Sequence, residues 1–161
     1  DRLWPGADRQ TGMIRLACGA DEVAVLGVVQ AAYLPYVASI GVRPGPLDDD
    51  YADLIRQQQV WLLEQNGAAC AILVLCREPD AMLLANVAVD PAFQGQGHGR
   101  QLIDFAETRA REAGFSRIRL YTNAAMQANV VLYERLGYRE THRATEHGFN
   151  RVFMEKALES R

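Results

Sequence analysis

The spacing at which hydrophobic and polar residues alternate changes several times along the first part of the chain. Residues 13–16 form a short apolar run that predicts a first strand. Residues 23–33 are apolar and rich in alanine, which favours a helix that Pro35 bends or ends. Glycines and prolines in residues 40–47 then predict a loop.

The next segment predicts a helix followed by an antiparallel hairpin. Aspartates at positions 48–50 begin a helix that runs to about Gln58, because acidic groups satisfy free N–H groups and complement the helix dipole. Residues 60–65 and 68–76 are strand-like and flank an Asn-Gly pair, which suits the positive φ angles of a type I′ turn. These two strands are therefore predicted to pair with each other.

The central part of the chain predicts a strand, a long helix and a second strand. Residues 82–89 follow a turn at 78–80 and are nearly all apolar, as expected for a strand buried on both faces. Residues 118–122 alternate like a strand. Between them, apolar residues recur at helical spacing before Gly114: Leu102, Ile103, Ala106, Ala110 and Ala113. This order predicts a right-handed crossover between two parallel strands.

The last part of the chain predicts a short helix and a closing hairpin. Val130 and Tyr133 lie in the helix, which Gly137 ends, and residues 138–143 and 150–156 form the hairpin. The whole pattern predicts one α/β domain, with a mixed, mostly antiparallel sheet of about seven strands, one parallel crossover and about four helices. The domain is assigned to residues 13–161, and residues 1–12 are interpreted as an N-terminal extension or a cloning remnant.

Composition and charge narrow the class of protein. The 161 residues are 49% hydrophobic and 23% charged, as in ordinary globular domains. No apolar run reaches the roughly 18 residues of a spanning helix, so no membrane partner is expected. A formal charge of −3 gives no general attraction to nucleic acid. Cys18, Cys70 and Cys76 show no CxxC spacing and are interpreted as buried thiols of a cytoplasmic protein.

A glycine-rich turn separates the central strand from the long helix. Its residues are Gln94, Gly95, Gln96, Gly97, His98, Gly99 and Arg100. Alternating glycines at a helix start let several backbone N–H groups approach a bulky anion such as pyrophosphate. The alternative is a loose loop with a glycine-tolerant helix start. The spacing matches neither the dinucleotide fingerprint nor the phosphate loop of nucleotide triphosphatases.

At this turn the sequence resembles the GNAT superfamily of acyl-coenzyme A-dependent N-acyltransferases. The family signature is Gln or Arg, two residues, Gly, one residue, then Gly or Ala, which Gln94, Gly97 and Gly99 match in order. The resemblance continues through residues 86–91 and 129–138 and implies acetyl-coenzyme A as cosubstrate. It implies coenzyme binding by Val87, Ala88, Val89, Gln94, Gly95, Gln96, Gly97, His98, Gly99, Arg100, Asn129 and Tyr133. Arg100 is also compatible with an ordinary solvated position in a first helical turn.

The second matching segment supplies the catalytic candidate. Asn129 and Tyr133 are four residues apart and therefore share one helix face. By the resemblance, Asn129 contacts the coenzyme arm and Tyr133 is the general acid that protonates the departing thiolate. Many relatives carry a glutamate on the buried strand as a base, whereas this chain has Asn86 there and no carboxylate. Glu64 and residues 48–50 are candidate bases only through bound water, and helix capping explains the aspartates adequately.

The resemblance implies transfer of an acetyl group to a primary amine by direct attack in a ternary complex. The alternatives are a non-catalytic acyl-coenzyme A sensor and an enzyme that acetylates proteins. Tyr33, Tyr36 and Arg43 lie in the region that shapes the acceptor pocket in such enzymes, although packing explains them equally well. Homodimerisation rests on the resemblance alone. No metal is predicted, because the histidines lack ligand spacing: His98, His142 and His147.

Overall fold

The structure, a computed structural model, describes residues 12–41 and 45–159, apart from the side chains of residues 39 and 40. The predicted N-terminal extension, except for Gly12, lies outside the described residues, and so does Arg43.

Seven strands and four α-helices are found within the described residues. In chain order they are β1 Met13–Leu16, α1 Glu22–Ile40, α2 Tyr51–Arg56, β2 Val60–Gln65, β3 Ala68–Arg77, β4 Met82–Val89, α3 His98–Glu112, β5 Arg117–Asn123, α4 Gln127–Arg135, β6 Arg139–Glu146 and β7 Phe149–Ala157. Short 3-10 turns lie at Gly19–Asp21, Gly45–Asp48 and Pro91–Phe93.

The strands form one sheet in the order β1-β2-β3-β4-β5-β7-β6. The β1/β2, β2/β3, β5/β7 and β6/β7 pairs are antiparallel. The β4/β5 pair is parallel, with Met82 opposite Ile118 and Leu84 opposite Leu120. The predicted mixed, mostly antiparallel sheet with one parallel crossover is therefore confirmed.

The chain divides into two compact units, each built from two segments. The first comprises Asp1–Leu75 and Asn86–Ala106. In its described part, the core combines one face of α1 with β2, β3 and the first half of α3, and an edge-to-face contact joins Trp61 and Phe105 with ring centroids 5.0 Å apart. Its fully buried side chains include Val25, Val28, Leu62, Leu63, Ile72, Leu73, Leu102 and Ile103.

The second unit comprises Cys76–Ala85 and Glu107–Arg161. Its core lies between the sheet and the adjoining helix faces, and includes Leu84, Ile118, Leu120, Val130, Tyr138, Val152 and Met154. Glu107 is buried here with partners: it accepts hydrogen bonds from Tyr138 at 2.9 Å and from Lys156 at 3.0 Å. The buried carboxylate is thus both paired and hydrogen-bonded, as such a group requires.

Pro35 was predicted to bend or to end helix α1, and of these two outcomes the end is wrong. Pro35 lies inside the helix, which continues to Ile40 and is closed by Gly41 in the left-handed region at φ 76°. A proline inside a helix costs the hydrogen bond of its own nitrogen and crowds the carbonyl four residues earlier, whereas Gly41 can adopt positive φ without a Cβ penalty. The glycine therefore ends the helix.

Two predictions about burial are also wrong. Strand β4 buries only alternate residues, among them Leu84, Asn86 and Ala88, while the intervening positions are half-buried. Cys18 is exposed because it lies in the connection after β1, and Cys76 is half-buried, whereas Cys70 is buried as predicted. Among the described residues, no helix combines the length and apolar character that crossing a bilayer requires.

Candidate active site

The end of strand β4 forms one wall of the candidate site. The parallel ladder with β5 covers Met82 to Leu84, whereas β4 continues to Val89. Ala88 is buried, and Val87 and Val89 are half-buried on the opposite face. The backbone beyond Leu84 thus extends past the ladder to β5, which suits pairing with an extended ligand arm.

The loop after β4 holds glycines at positions that require positive φ. Asp90 caps the turn at Pro91–Phe93 by accepting a hydrogen bond from the Ala92 N–H at 2.9 Å. Gly95 has φ 81° and Gly97 has φ 84°, and a Cβ at either position would meet no atom within 4 Å. The backbone conformation, and not crowding, therefore demands glycine at these two positions.

Helix α3 presents three N–H groups toward this loop. The first hydrogen bond of the helix runs from the Gln101 N–H to the Gly97 carbonyl at 3.0 Å. The N–H groups of His98, Gly99 and Arg100 precede it and have no acceptor inside the helix. Together with the dipole of a 15-residue helix, they favour an anion at this end. The exposed Arg100 adds a positive charge in the same turn.

His98 differs from the other residues of the loop. Its side chain is buried, and neither ring nitrogen has a hydrogen-bond partner among the described residues. Burial lowers the pKa of His98, so the imidazole is neutral at neutral pH. The ring makes an edge-to-face contact with Phe93. Only the main-chain N–H of His98 is therefore placed for a ligand of the loop.

Asn129 and Tyr133 lie on one face of α4, in the second unit. The Asn129 side-chain amide contacts Thr122 Oγ1 at 3.5 Å and Met126 Sδ at 3.9 Å. Tyr133 packs edge-to-face on Tyr138 with ring centroids 5.8 Å apart. Burial of its phenol group raises the pKa of Tyr133 to about 12, although the residue as a whole is half-buried. The hydroxyl is therefore protonated at neutral pH and can donate a proton.

A second polar cluster surrounds Asn86 in the first unit, and the sequence patterns did not reveal it. The Tyr33 hydroxyl donates to Asn86 Oδ1 and lies 3.3 Å from the Val87 carbonyl oxygen. Asn86 Nδ2 donates to the Tyr51 hydroxyl at 3.2 Å, and Tyr51 donates to the Pro46 carbonyl at 2.7 Å. An asparagine within an apolar strand is the only sequence signal of this cluster.

Two of the carboxylates considered as bases, Glu64 and Asp50, are engaged elsewhere. Glu64 accepts two hydrogen bonds from Arg15, both at 3.0 Å, and this pairing lowers the pKa of Glu64. Asp50 caps α2 by accepting a hydrogen bond from the Asp53 N–H at 3.1 Å. The paired Glu64 carboxylate, with its lowered pKa, is a poor proton acceptor. Within the described residues, no group of three or more metal-ligating side chains is found.

Comparison with known proteins assigns the family. The family model of the acetyltransferase (GNAT) domain matches residues 56–140, which include β4, the glycine-rich loop, α3 and the whole of α4 with Asn129 and Tyr133. This match extends over more than half of the chain, and the chain therefore belongs to the GNAT acetyltransferase family.

Individual relatives agree with this assignment. The chain is 36% identical over 78 residues to the [ribosomal protein bS18]-alanine N-acetyltransferase of Escherichia coli K12. The match covers 48% of this chain and 53% of that protein, so the chain spans about half the length of the curated relatives it matches.

Solved structures show the same fold over nearly the whole chain. The Escherichia coli ribosomal-protein-S18-alanine N-acetyltransferase has a TM-score of 0.71 at 22% identity, covering 93% of this chain and 96% of that one. The PaiA N-acetyltransferase of Thermoplasma acidophilum, in complex with coenzyme A, has a TM-score of 0.76 at 15% identity, covering 91% and 98%.

Proposed function

We propose that this protein transfers an acetyl group from acetyl-coenzyme A to a primary amine by direct attack in a ternary complex. The observation that carries the proposal is the start of α3, where three N–H groups follow two positive-φ glycines. This arrangement suits the pyrophosphate of coenzyme A. The membership of the chain in the GNAT acetyltransferase family supports the same ligand. Pantetheine is assigned to the main chain at Val87, Ala88 and Val89 and to the amide of Asn129.

In the proposed reaction the amine nitrogen attacks the thioester carbonyl carbon. The main-chain N–H near Val87 stabilises the oxyanion that forms. The carbon–sulfur bond then breaks, and Tyr133 donates its proton to the departing sulfur. The attacking nitrogen loses a proton to water, because Glu64 and Asp50 are engaged in other contacts. A proton from water then restores the Tyr133 hydroxyl. The products are an N-acetyl amine and free coenzyme A.

The names of the relatives supply a first acceptor class. The Escherichia coli relative is named for the alanine of a ribosomal protein, which makes the α-amine of an alanine-initiated peptide the first acceptor to test. A small amine is the second class. The alternative function is an acyl-coenzyme A sensor that binds the coenzyme without turnover. Homodimerisation and a cytoplasmic location stay predictions.

The proposal is tested by titration calorimetry with acetyl-coenzyme A, followed by thiol-release turnover. The acceptor panel contains alanine amide, an alanine-initiated hexapeptide, its N-terminally blocked counterpart, lysine amide and a diamine. Micromolar binding with turnover on one amine class is the expected result. Binding without turnover on any acceptor favours the sensor. Absence of binding contradicts the assignment of the loop at residues 94–100 to the coenzyme.

A further inference from the structure

The end of strand β5 separates two groups of side chains in the second unit. The ladder of β5 with β4 stops at Leu120, whereas β5 continues to Asn123. Thr122 Oγ1 lies 3.5 Å from the side-chain amide of Asn129, the residue assigned to the coenzyme arm. Because side chains alternate along a strand, Tyr121 and Asn123 lie on the opposite face. In a ternary complex both substrates are bound at once, so the acceptor must approach from a side that the coenzyme leaves open.

Arg151 carries a positive charge on this second face. Strand β7 places Arg151 directly opposite Asn123, and residues that oppose each other in an antiparallel pair share one face of the sheet. The guanidinium carbon of Arg151 lies 4.4 Å from the ring centroid of Tyr121 and 5.6 Å from that of Phe149. Only 17% of the Arg151 side chain is exposed. The two rings therefore hold the guanidinium in place by cation–π contacts and packing.

The guanidinium of Arg151 has hydrogen-bonding capacity that the protein does not use. Arginine has five N–H donors in a planar fork. Among the described residues, the Arg151 side chain donates one hydrogen bond, from Nη1 to Glu146 Oε1 at 2.9 Å. Arg119, on the same face of β5, instead contacts three carboxylates. The Glu146 side chain is 45% exposed and can turn toward solvent, so Arg151 can bind another carboxylate.

We propose that Arg151 binds a carboxylate of the acceptor, and that the substrate is therefore an amine that carries a carboxylate near its amino group. The inference rests on the proposed function and names its substrate class. Glu146 shows that a carboxylate fits this guanidinium at hydrogen-bond distance. Arg151 transfers no proton, because a guanidinium stays charged. Two sources carry this chemistry, a free amino acid and a peptide whose second residue is acidic.

The first test measures how Arg151→Gln changes the KM of matched acceptors. One pair is alanine with alanine amide, and the other is two amidated, alanine-initiated hexapeptides with Asp or Asn at the second position. Each acceptor is compared with its own wild-type value, because the amine pKa differs between acceptors. The KM is expected to rise about 10-fold or more for a carboxylate-bearing acceptor, the usual size of a lost charged hydrogen bond, and less than about 3-fold for its uncharged partner. The pair that shows this difference identifies the source.

Arg143→Gln is the matched control for this variant. Arg143 also pairs with a carboxylate, that of Glu140 at 2.8 Å, but it lies opposite Val152, whose side chain is buried on the other face of the sheet. Arg143→Gln is expected to change no KM by more than about 2-fold. The Kd for acetyl-coenzyme A, measured by calorimetry, is expected to stay within about 2-fold of wild type in both variants, because neither residue is assigned to the coenzyme.

Glu146→Gln provides a second test that keeps Arg151 itself. It removes the carboxylate that competes with the acceptor, and is expected to lower the KM of the carboxylate-bearing acceptor alone about 3-fold, the size of a partly exposed ion pair. The Arg151→Gln/Glu146→Gln double variant is expected to match Arg151→Gln. An equal decrease of the KM in the Arg151→Gln background would show a general effect of the lost negative charge and would overturn the competition for Arg151.

Further outcomes separate this inference from the proposed function. If the wild type acetylates amines but Arg151→Gln affects charged and uncharged acceptors equally, or if only uncharged amines are acetylated, the role of Arg151 is wrong and the transferase stands. If the wild type binds acetyl-coenzyme A but acetylates no amine, both are wrong. Thermal melting identifies a variant that is unfolded. If Arg151→Gln is unfolded, Glu146→Gln, at an exposed position, decides alone.

Discussion

Tyr133 is the side chain whose chemistry depends most on its surroundings. Its pKa, raised to about 12 by burial, makes it a weak acid that remains protonated throughout the neutral range. Tyr133→Phe is expected to lower turnover about 100-fold or more, because general acids commonly contribute that much, while leaving acetyl-coenzyme A affinity nearly unchanged. Single-turnover thiol release and calorimetry measure the two quantities. Unchanged turnover would show that another group protonates the sulfur.

The pH dependence of the reaction offers an independent view of the same residue. A raised pKa means that the protonated, active form of Tyr133 persists to higher pH. The kcat/KM for the amine is therefore expected to rise with pH as the amine is deprotonated, with no loss attributable to Tyr133 below about pH 11. A descending limb near pH 9 that disappears in Tyr133→Phe would contradict the assigned pKa.

Gly97 and Gly99 form a matched pair for testing the loop. Gly97 has φ 84°, so Gly97→Ala strains the backbone by about 1 kcal/mol and displaces the N–H groups that follow. Gly99 lies in α3 without a positive φ, and a Cβ there makes only an ordinary 3.7 Å contact with Val89. Calorimetry is expected to show a Kd for acetyl-coenzyme A about 10-fold higher in Gly97→Ala and within about 3-fold of wild type in Gly99→Ala. Equal effects would contradict a role for the φ angle.

At the scale of elements, an ionic cluster ties strand β1 to the turn before α1 and to β2. Arg15 on β1 binds Asp21 at 2.8 Å and Glu64 at 3.0 Å. Asp21 also accepts from the Cys18 N–H at 2.8 Å. The guanidinium of Arg15, followed by the backbone N–H of Cys18, holds the pKa of Asp21 well below its usual range. This cluster therefore contributes to the attachment of a four-residue edge strand.

Asp21→Asn tests the contribution of this cluster to stability. Because Arg15 is partly exposed, the expected loss at pH 7 is about 1 kcal/mol in the free energy of unfolding. A lowered pKa stabilises the fold above the ordinary carboxylate pKa, and this contribution is lost as the pH falls toward the lowered value. Urea titrations of both proteins are therefore expected to show a difference that is full above about pH 4 and narrows below it. A difference that stays constant down to about pH 2 would contradict the linkage.

Local patterns predicted most of these elements, because turn and cap residues act on their immediate neighbours. Asn66 and Gly67 have φ angles of 54° and 80°, as the hairpin prediction required. The end of α1 was not predictable from Pro35, because tertiary packing and the Gly41 cap outweigh one lost hydrogen bond.

Contacts between distant parts of the chain could not be predicted in this way. The placement of β7 between β5 and β6 depends on long-range pairing that no local period encodes. The glycine-rich turn was recognisable as a site because its residues are consecutive in the sequence. The polar cluster around Asn86 joins this residue by hydrogen bonds to Tyr33 and Tyr51, which lie 53 and 35 positions away in the sequence. Sequence spacing could therefore not reveal it.

At the scale of the whole molecule, the protein and its proposed ligand carry charge of the same sign. The formal charge of −3 indicates that coenzyme binding relies on local N–H groups and the α3 dipole rather than on the overall field. Acetyl-coenzyme A at about 100 times its Kd is expected to stabilise the folded protein by about 2.7 kcal/mol, and to raise the Tm by about 5–10 °C. Differential scanning fluorimetry measures this shift.

Pantetheine is the control for this prediction, because it lacks the pyrophosphate. At the same concentration it is expected to raise the Tm by less than about 2 °C, since it makes no contact with the start of α3. An equal shift with both compounds would indicate that the loop at residues 94–100 contributes little to binding.

The exposure of Cys18 also affects how any of these reactions is measured. Reagents that detect released coenzyme A by its sulfhydryl also react with accessible cysteines, and Cys18 is exposed whereas Cys70 is buried. When the enzyme is present at micromolar concentration, Cys18 therefore adds a rapid background to the absorbance of the thiol-release assay, in proportion to the amount of enzyme. Replacing Cys18 with serine removes its contribution to this background, and the native thiol offers a position for attaching a fluorophore close to the Arg15–Asp21 ion pair.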